Sequence, residues 1–175
     1  MRLGGGRDFA NHPPLDHTYW STLMEGIEVN GQELGEPEFN AVLAGAYDVP
    51  VVFLSGDEVT CDNARKFIGD WLEVAAVKRA VGRESAICSH PSVTTKLIAE
   101  RAQKAAASVE QAHPRKIEEP VTLEMRFLMS KMADQAAIFP GAERISGRTV
   151  RVGSATVVEA YRSMLTLFAL ARNAM

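Results

Sequence analysis

Histidine is the side chain most often used to move protons or hold a transition metal near neutral pH. This sequence has four, His12, His17, His90 and His113. No two stand four residues apart, so the helical pair of a His-Glu-x-x-His zinc site is absent. His12 lies five residues before His17, with the stiff Pro13-Pro14 between them, which is the wrong register for one metal ion. His90 and His113 each precede a proline and read as loop residues at helix boundaries. No phosphate-cradling Gly-rich loop, dinucleotide fingerprint or Gly-x-Ser-x-Gly elbow occurs. Among the carboxylates, Glu36 falls near a helix start, where a glutamate ordinarily favours the helix dipole. Asp57, beside Glu58, reads as a helix cap. Lys78 and Arg83 read as solvated or salt-bridged cations, with a substrate carboxylate as the alternative partner. Cys61 and Cys88 lack metal-type spacing and read as reduced thiols.

Two runs of residues carry more. Leu15-Asp16-His17-Thr18-Tyr19 is followed by a strand, by Asn30-Gly31, and by Gly35-Glu36-x-x-x-Asn40-Ala41-x-x-Ala44-Gly45-x-Tyr47-Asp48-Val49-Pro50-Val51. Ser55-Gly56-Asp57, Ala76-Val77-Lys78, Gly82-Arg83-x-Ser85-Ala86, Phe139-Pro140-Gly141 and Glu159-Ala160-Tyr161-Arg162-x-Met164 follow in order. This series resembles the zinc-dependent D-aminopeptidases of the dipeptide-transport-operon type, from about Leu15 to the C-terminus.

The resemblance implies a metallopeptidase that removes D-amino acids from the N-terminus of short peptides. It implies a centre of two zinc ions and a homo-oligomer, decameric in the family. Glu36 falls on a metal-ligating glutamate and His17 on the catalytic histidine. Both roles suit the residue types, since a carboxylate oxygen is an ordinary zinc ligand and a histidine exchanges a proton near neutrality. Asn40 falls one helical turn after Glu36, on the same face, and is a candidate to bind substrate, with packing or capping as the alternative. The family's other zinc ligands, an Asp-x-Glu pair and two histidines, belong upstream of the matched run. Gly6 stands where the second of those histidines is expected. The expectation is therefore a C-terminal part, truncated, with most of the zinc donors missing. Its alternatives are an inactive oligomerising scaffold and one half of a split enzyme.

The elements that would position these residues follow from periodicity. Residues 1–14, Gly-rich and ending in Pro13-Pro14, read as a disordered or non-homologous leader, and residues 15–175 as the family-like part. A strand over residues 23–29 runs into Asn30-Gly31, a hairpin turn. A helix over residues 36–45 follows, then an unbroken apolar run over residues 49–54 that reads as a strand buried on both faces. A helix to about Trp71, a strand over residues 72–77 and a long helix over residues 91–111 come next. The chain closes with a strand over residues 121–127, a short helix to Phe139, a strand near residues 149–152 and a helix over residues 154–173. This alternation predicts an α/β fold, or α+β, with a mixed sheet, flanking helices and an incomplete version of the family fold.

The chain has 175 residues, 46% of them hydrophobic, enough for one globular domain with a core. A net charge of −3 without basic clusters points away from nucleic acid and anionic membranes. No apolar run approaches the length of a membrane span, and the first residues lack a signal-peptide core, which together predict a cytoplasmic protein.

Overall fold

The computed structural model describes residue 15 and residues 17–174. The expected leader, with Gly6 and His12, lies outside the described residues. In chain order the elements are β1 (Met24–Val29), β2 (Gln32–Leu34), α1 (Glu36–Gly45), β3 (Phe53–Asp57), α2 (Glu58–Ile68), β4 (Glu73–Gly82), β5 (Ser85–Cys88), α3 (Pro91–Ala107), β6 (Val121–Phe127), α4 (Ser130–Ala136), β7 (Glu143–Arg144), β8 (Thr149–Ser154) and α5 (Val157–Arg172). They divide into two compact units, one built from His17–Phe39 with the chain from Ile117 on, the other from Asn40–Lys116.

The first unit is a five-stranded sheet in the order β2-β1-β6-β8-β7, with every neighbouring pair antiparallel. Asn30 and Gly31 both take positive φ, 50° and 76°, as the tight turn between β1 and β2 requires. The Asn30 carboxamide also accepts from the Thr122 N–H at 2.7 Å and donates to the Glu118 carbonyl at 2.8 Å. The turn is thereby fastened to the start of β6. Alternation along β6 buries Val121, Leu123, Met125 and Phe127. Against the sheet, α5 brings Val157, Ala160, Met164, Leu167, Phe168 and Ala171, an i, i+3, i+4 stripe that is wholly buried. On the opposite face Glu124 of β6 pairs directly with Arg151 of β8, at 2.7 Å. The Thr156 hydroxyl accepts from the Glu159 N–H and starts α5, and the Glu159 carboxylate reaches back to accept from the Ala155 N–H.

In the second unit β3 runs parallel to β4, α2 forms the crossover, and β5 pairs antiparallel with β4. Asp57 caps α2, its carboxylate accepting from the Thr60 N–H at 2.9 Å and the Thr60 hydroxyl at 2.6 Å. Glu73 at the start of β4 is only 8% exposed, and two cations of α3 meet it, Lys104 at 2.6 Å and Arg101 at 3.0 Å. Residues 44–49 end α1 with a left-handed Asp48, φ 58°. Val49 N–H bonds to the Ala44 carbonyl and Asp48 N–H to the Gly45 carbonyl, both at 3.1 Å, which satisfies the last turn. Gly45 itself admits no side chain, since a Cβ there would stand 1.9 Å from the Arg115 carbonyl oxygen.

The expected combination of a mixed sheet and flanking helices is present as β3-β4-β5, and a second, antiparallel sheet accompanies it. One strand differs from expectation. Residues 49–54 are not a strand buried on both faces: the strand starts at Phe53, Val49 is 52% exposed and residues 50–54 are half-buried. Pro50 has no N–H to give a ladder, so pairing begins only beyond it. The short strands β5 and β7 carry little apolar alternation and left no periodic trace. Among the described residues no helix is long and apolar enough to cross a membrane.

Two outcomes follow from this packing. Leu123→Ala should cost about 2–5 kcal/mol in urea unfolding, because a fully buried side chain leaves a cavity. Leu165→Ala, at a side chain 49% exposed on α5, should cost less than about 0.5 kcal/mol. Lys104, then Arg101, hold the Glu73 carboxyl below the usual carboxylate range against the opposing effect of burial. That stability is present above the unfolded glutamate pKa and is lost as pH falls through the folded value. Glu73→Gln should therefore destabilise by about 1 kcal/mol at pH 7, both cations being partly exposed. The gap to the native chain should close toward pH 3 in thermal melts, and a gap that widens with acidity contradicts the assignment.

Candidate functional site

The segment carrying His17 is an irregular turn before β1. His17 is exposed and Thr18 is buried. Tyr19 has φ 55°, and the Trp20 N–H bonds back to the Thr18 carbonyl at 2.6 Å, closing a three-residue turn around it. A tyrosine in the left-handed region is strained, and such strain persists only where surrounding contacts enforce it. Those contacts come from α5. The Tyr19 ring meets Tyr161 edge-on at 6.2 Å and Phe168 at a tilt at 6.3 Å, and a hydrogen bond links its hydroxyl to Tyr161. Trp20 packs on Phe168 at 6.1 Å, with the Arg172 guanidinium 6.0 Å from its ring centre.

Glu36 begins α1 and is exposed. Its charge reaches Tyr19: burial raises the Tyr19 pKa first, and Tyr161, Glu36 and Glu38 raise it further. Two residues on, Glu38 is only 3% exposed. Burial pushes its carboxyl upward, while hydrogen bonds from its own N–H and that of Gly35 pull the other way. This buried carboxylate caps the helix from inside. Phe39 is fully buried and meets Tyr161 edge-on at 5.5 Å.

The turn bearing His17 and the first turn of α1 bearing Glu36 thus converge on one side chain, Tyr161 of α5. Asn40 lies one turn beyond Glu36 and is exposed. The remaining candidates are structural. Asp57 is a helix cap, and His90 caps α3, its Nδ1 accepting from the Ser92 N–H at 3.3 Å. The His113 ring stands edge-on to Trp71 at 5.4 Å. Cys61 is buried, with its thiol pKa pushed up to about 11 chiefly by burial, and Cys88 is exposed; the two are unpaired. An open groove of about 380 Å³ runs past Phe139, Pro140, Ser154, Arg162 and Thr166, and none of His17, Glu36 and Asn40 lines it. Sequence reasoning named Tyr161 only as part of a motif. Its partners stand 142 and 122 residues earlier, at Tyr19 and Phe39, and no local pattern links them.

The donor set for a metal is short. Among the described residues no three His, Cys, Asp or Glu side chains converge. Glu36 and His17 alone do not fit a zinc centre, which needs three or more protein donors per ion or shared bridges.

Comparison with known proteins bears on this arrangement. A solved zinc-dependent D-aminopeptidase, DppA from Bacillus subtilis, described as a self-compartmentalizing protease, superposes with a TM-score of 0.86 at 28% identity. The match covers 92% of this chain and 59% of that one. A curated D-aminopeptidase from Bacillus subtilis strain 168 is 31% identical over 144 residues, 82% of this chain and 52% of the relative. The chain therefore spans between half and three-fifths of the length of these relatives. The model of the D-aminopeptidase family matches residues 7–166, and the chain belongs to that family.

Proposed function

We propose that this chain contributes to the hydrolysis of short peptides with an N-terminal D-amino acid. It would supply part of a zinc centre whose further donors come from outside the described residues. His17 is the proton-transfer residue in this reading, because an imidazole can accept a proton and return it near neutral pH. Glu36 supplies one metal-binding carboxylate, and Asn40, one turn along the same helix face, contacts the substrate. The observation that carries the reading is the convergence of the His17 turn and the Glu36 turn on Tyr161. In a member of this family, that convergence puts the two residues within one unit of the fold.

Zinc titration and peptide hydrolysis test it. The purified chain should hold at most one zinc ion, weakly, and Glu36→Gln should weaken that binding further, since affinity follows donor number. Alone it should release no D-alanine from D-Ala-D-Ala. Mixed with the part of the Bacillus subtilis D-aminopeptidase that it leaves unmatched, it should release D-alanine, and His17→Ala should abolish the release. Two tightly held zinc ions in the chain alone would overturn the shared centre. Indifference of zinc binding to Glu36→Gln would remove Glu36 from it. Complemented activity that survives His17→Ala would remove His17, and inactivity of the mixture would leave an oligomerising scaffold as the better reading.

Self-association belongs to the same proposal. The edge strand β5 exposes Ser85, Ala86, Ile87 and Cys88 without a charge among them, and Val81 and Val93 are 62% and 58% exposed. Uncharged open edges pair readily with other strands, and a net charge of −3 opposes little. The relative's description as self-compartmentalizing fits the same expectation. Light scattering at micromolar concentration should report a species larger than the 19.1 kDa monomer. A monodisperse monomer would contradict it.

A further inference from the structure

The open groove of about 380 Å³ is built wholly within the first unit, from runs of sequence that the functional reading leaves unused. One wall is the turn Phe139-Pro140-Gly141-Ala142. Proline at its second position, glycine at its third with φ 81°, and the Ala142 N–H bonded to the Phe139 carbonyl at 3.0 Å make it a rigid type II turn. The other wall is the stripe Glu159, Arg162, Ser163 and Thr166 of α5. These positions share one helix face. Ala160, Met164 and Leu167 beside them are fully buried, so core packing holds the wall in place. Phe139, Pro140 and Val152 give the lining its apolar part.

The polar part is unevenly satisfied. The Glu159 carboxylate turns back to the Ala155 N–H at 2.9 Å, with one oxygen engaged and the other left without a hydrogen bond. Arg162, one turn on, therefore lacks the acidic partner that stands three residues before it, and among the described residues no other carboxylate pairs with it. The Ser163 hydroxyl is likewise unpartnered among them, whereas that of Thr166 donates to the Arg162 carbonyl at 3.0 Å. A simple anion does not suit the start of α5, because Glu119 and Glu159 already accept from the N–H groups of Val157 and Ala155. The groove thus offers a guanidinium and a carboxylate with Cβ atoms about 5–6 Å apart, beside an apolar surface.

Charges so spaced match a molecule with one negative and one positive end. In a free amino acid both ends share a single carbon and lie too close together. In an extended dipeptide they stand roughly 7 Å apart. We propose that the groove binds a zwitterionic dipeptide with an apolar C-terminal side chain. Its carboxylate pairs with Arg162 and takes the Ser163 hydroxyl. Its ammonium meets the unengaged oxygen of Glu159, and its apolar side chain packs on Phe139 and Pro140. None of His17, Glu36 and Asn40 lines the groove, so the site stands or falls independently of their roles.

Saturation-transfer nuclear magnetic resonance on the full 175-residue chain reads the binding of L-alanyl-L-phenylalanine, whatever the oligomeric state of the protein. The dipeptide should bind with a Kd on the order of a millimolar, the scale for a ligand of this size in an open groove, and its phenyl protons should be saturated most strongly. Arg162→Gln, at an exposed helix position, should weaken binding about tenfold or more, the worth of one charge-assisted pair. The C-terminal amide of the dipeptide should bind the native chain as weakly. Glu159→Gln keeps an oxygen for the Ala155 N–H. It should weaken the free dipeptide about threefold and leave the N-acetylated dipeptide unchanged. Equal binding by the native and Arg162→Gln chains overturns the site, and so does equal binding of the free and N-acetylated dipeptides by the native chain. If Arg162→Gln lowers the mass seen by light scattering while the dipeptide binds both chains alike, the groove is a contact between copies and the proposal falls.

Discussion

The rest of the first unit depends on the burial of β6 beneath α5. Val121, Leu123, Met125 and Phe127 present one continuous apolar row, and the stripe of α5 from Val157 to Ala171 covers it. Every buried side chain on either surface is at most 5% exposed. Each valine, leucine, methionine or phenylalanine among them contributes roughly 1.5–3 kcal/mol on leaving water, so this contact outweighs any polar interaction in the unit. It also fixes α5 in rotation. The face opposite the stripe is then free to vary, while its flank, carrying Tyr161 and Phe168, is held where the His17 turn and the start of α1 can lean on it.

Polar interactions refine what burial has set. Glu124 and Arg151 stand directly opposite on β6 and β8, on the face that α5 does not cover, and a register slip of one residue would turn that pair inward. In the second unit Glu73 performs the comparable task, joining β4 to Arg101 and Lys104 of α3. A nearly buried carboxylate without those cations would be costly to desolvate, so the pairing specifies which turn of α3 lies over the strand. Asp57, Thr156 and Asp48 then define where three helices begin or end, through hydrogen bonds to backbone groups that would otherwise be unsatisfied.

The candidate residues sit at the ends of elements. His17 lies in a turn that contains the strained Tyr19 and Glu36 at a capped helix terminus, and aromatic contacts to Tyr161 join both segments to α5. The carboxylate that is buried, Glu38, caps α1, while the exposed Glu36 is left to face outward. Among the described residues no group of three His, Cys, Asp or Glu side chains converges beside them.

Local chemistry wrote much of this fold into the sequence. Asn30-Gly31 specifies its turn because few other dipeptides adopt two positive φ angles, and the alternation of residues 121–127 allows only a half-buried strand. Asp57 as a cap, the apolar stripe of α5 and the family membership were legible for the same reason: each depends on neighbours a few residues apart or on motifs in fixed order. His17, Glu36 and Asn40 could be named from such motifs, but not placed. Tertiary structure alone decided the rest. The apolar run after Asp48 reads as a buried strand, yet Pro50 withholds the ladder hydrogen bond and Val49 faces outward. The strands β5 and β7 exist because a longer partner offers them an edge, not because of their own pattern. Above all, the meeting of Tyr19, Phe39 and Tyr161 joins positions more than a hundred residues apart. Contacts of that span are set by how α5 packs on the sheet, a long-range geometry that no local spacing of residues encodes.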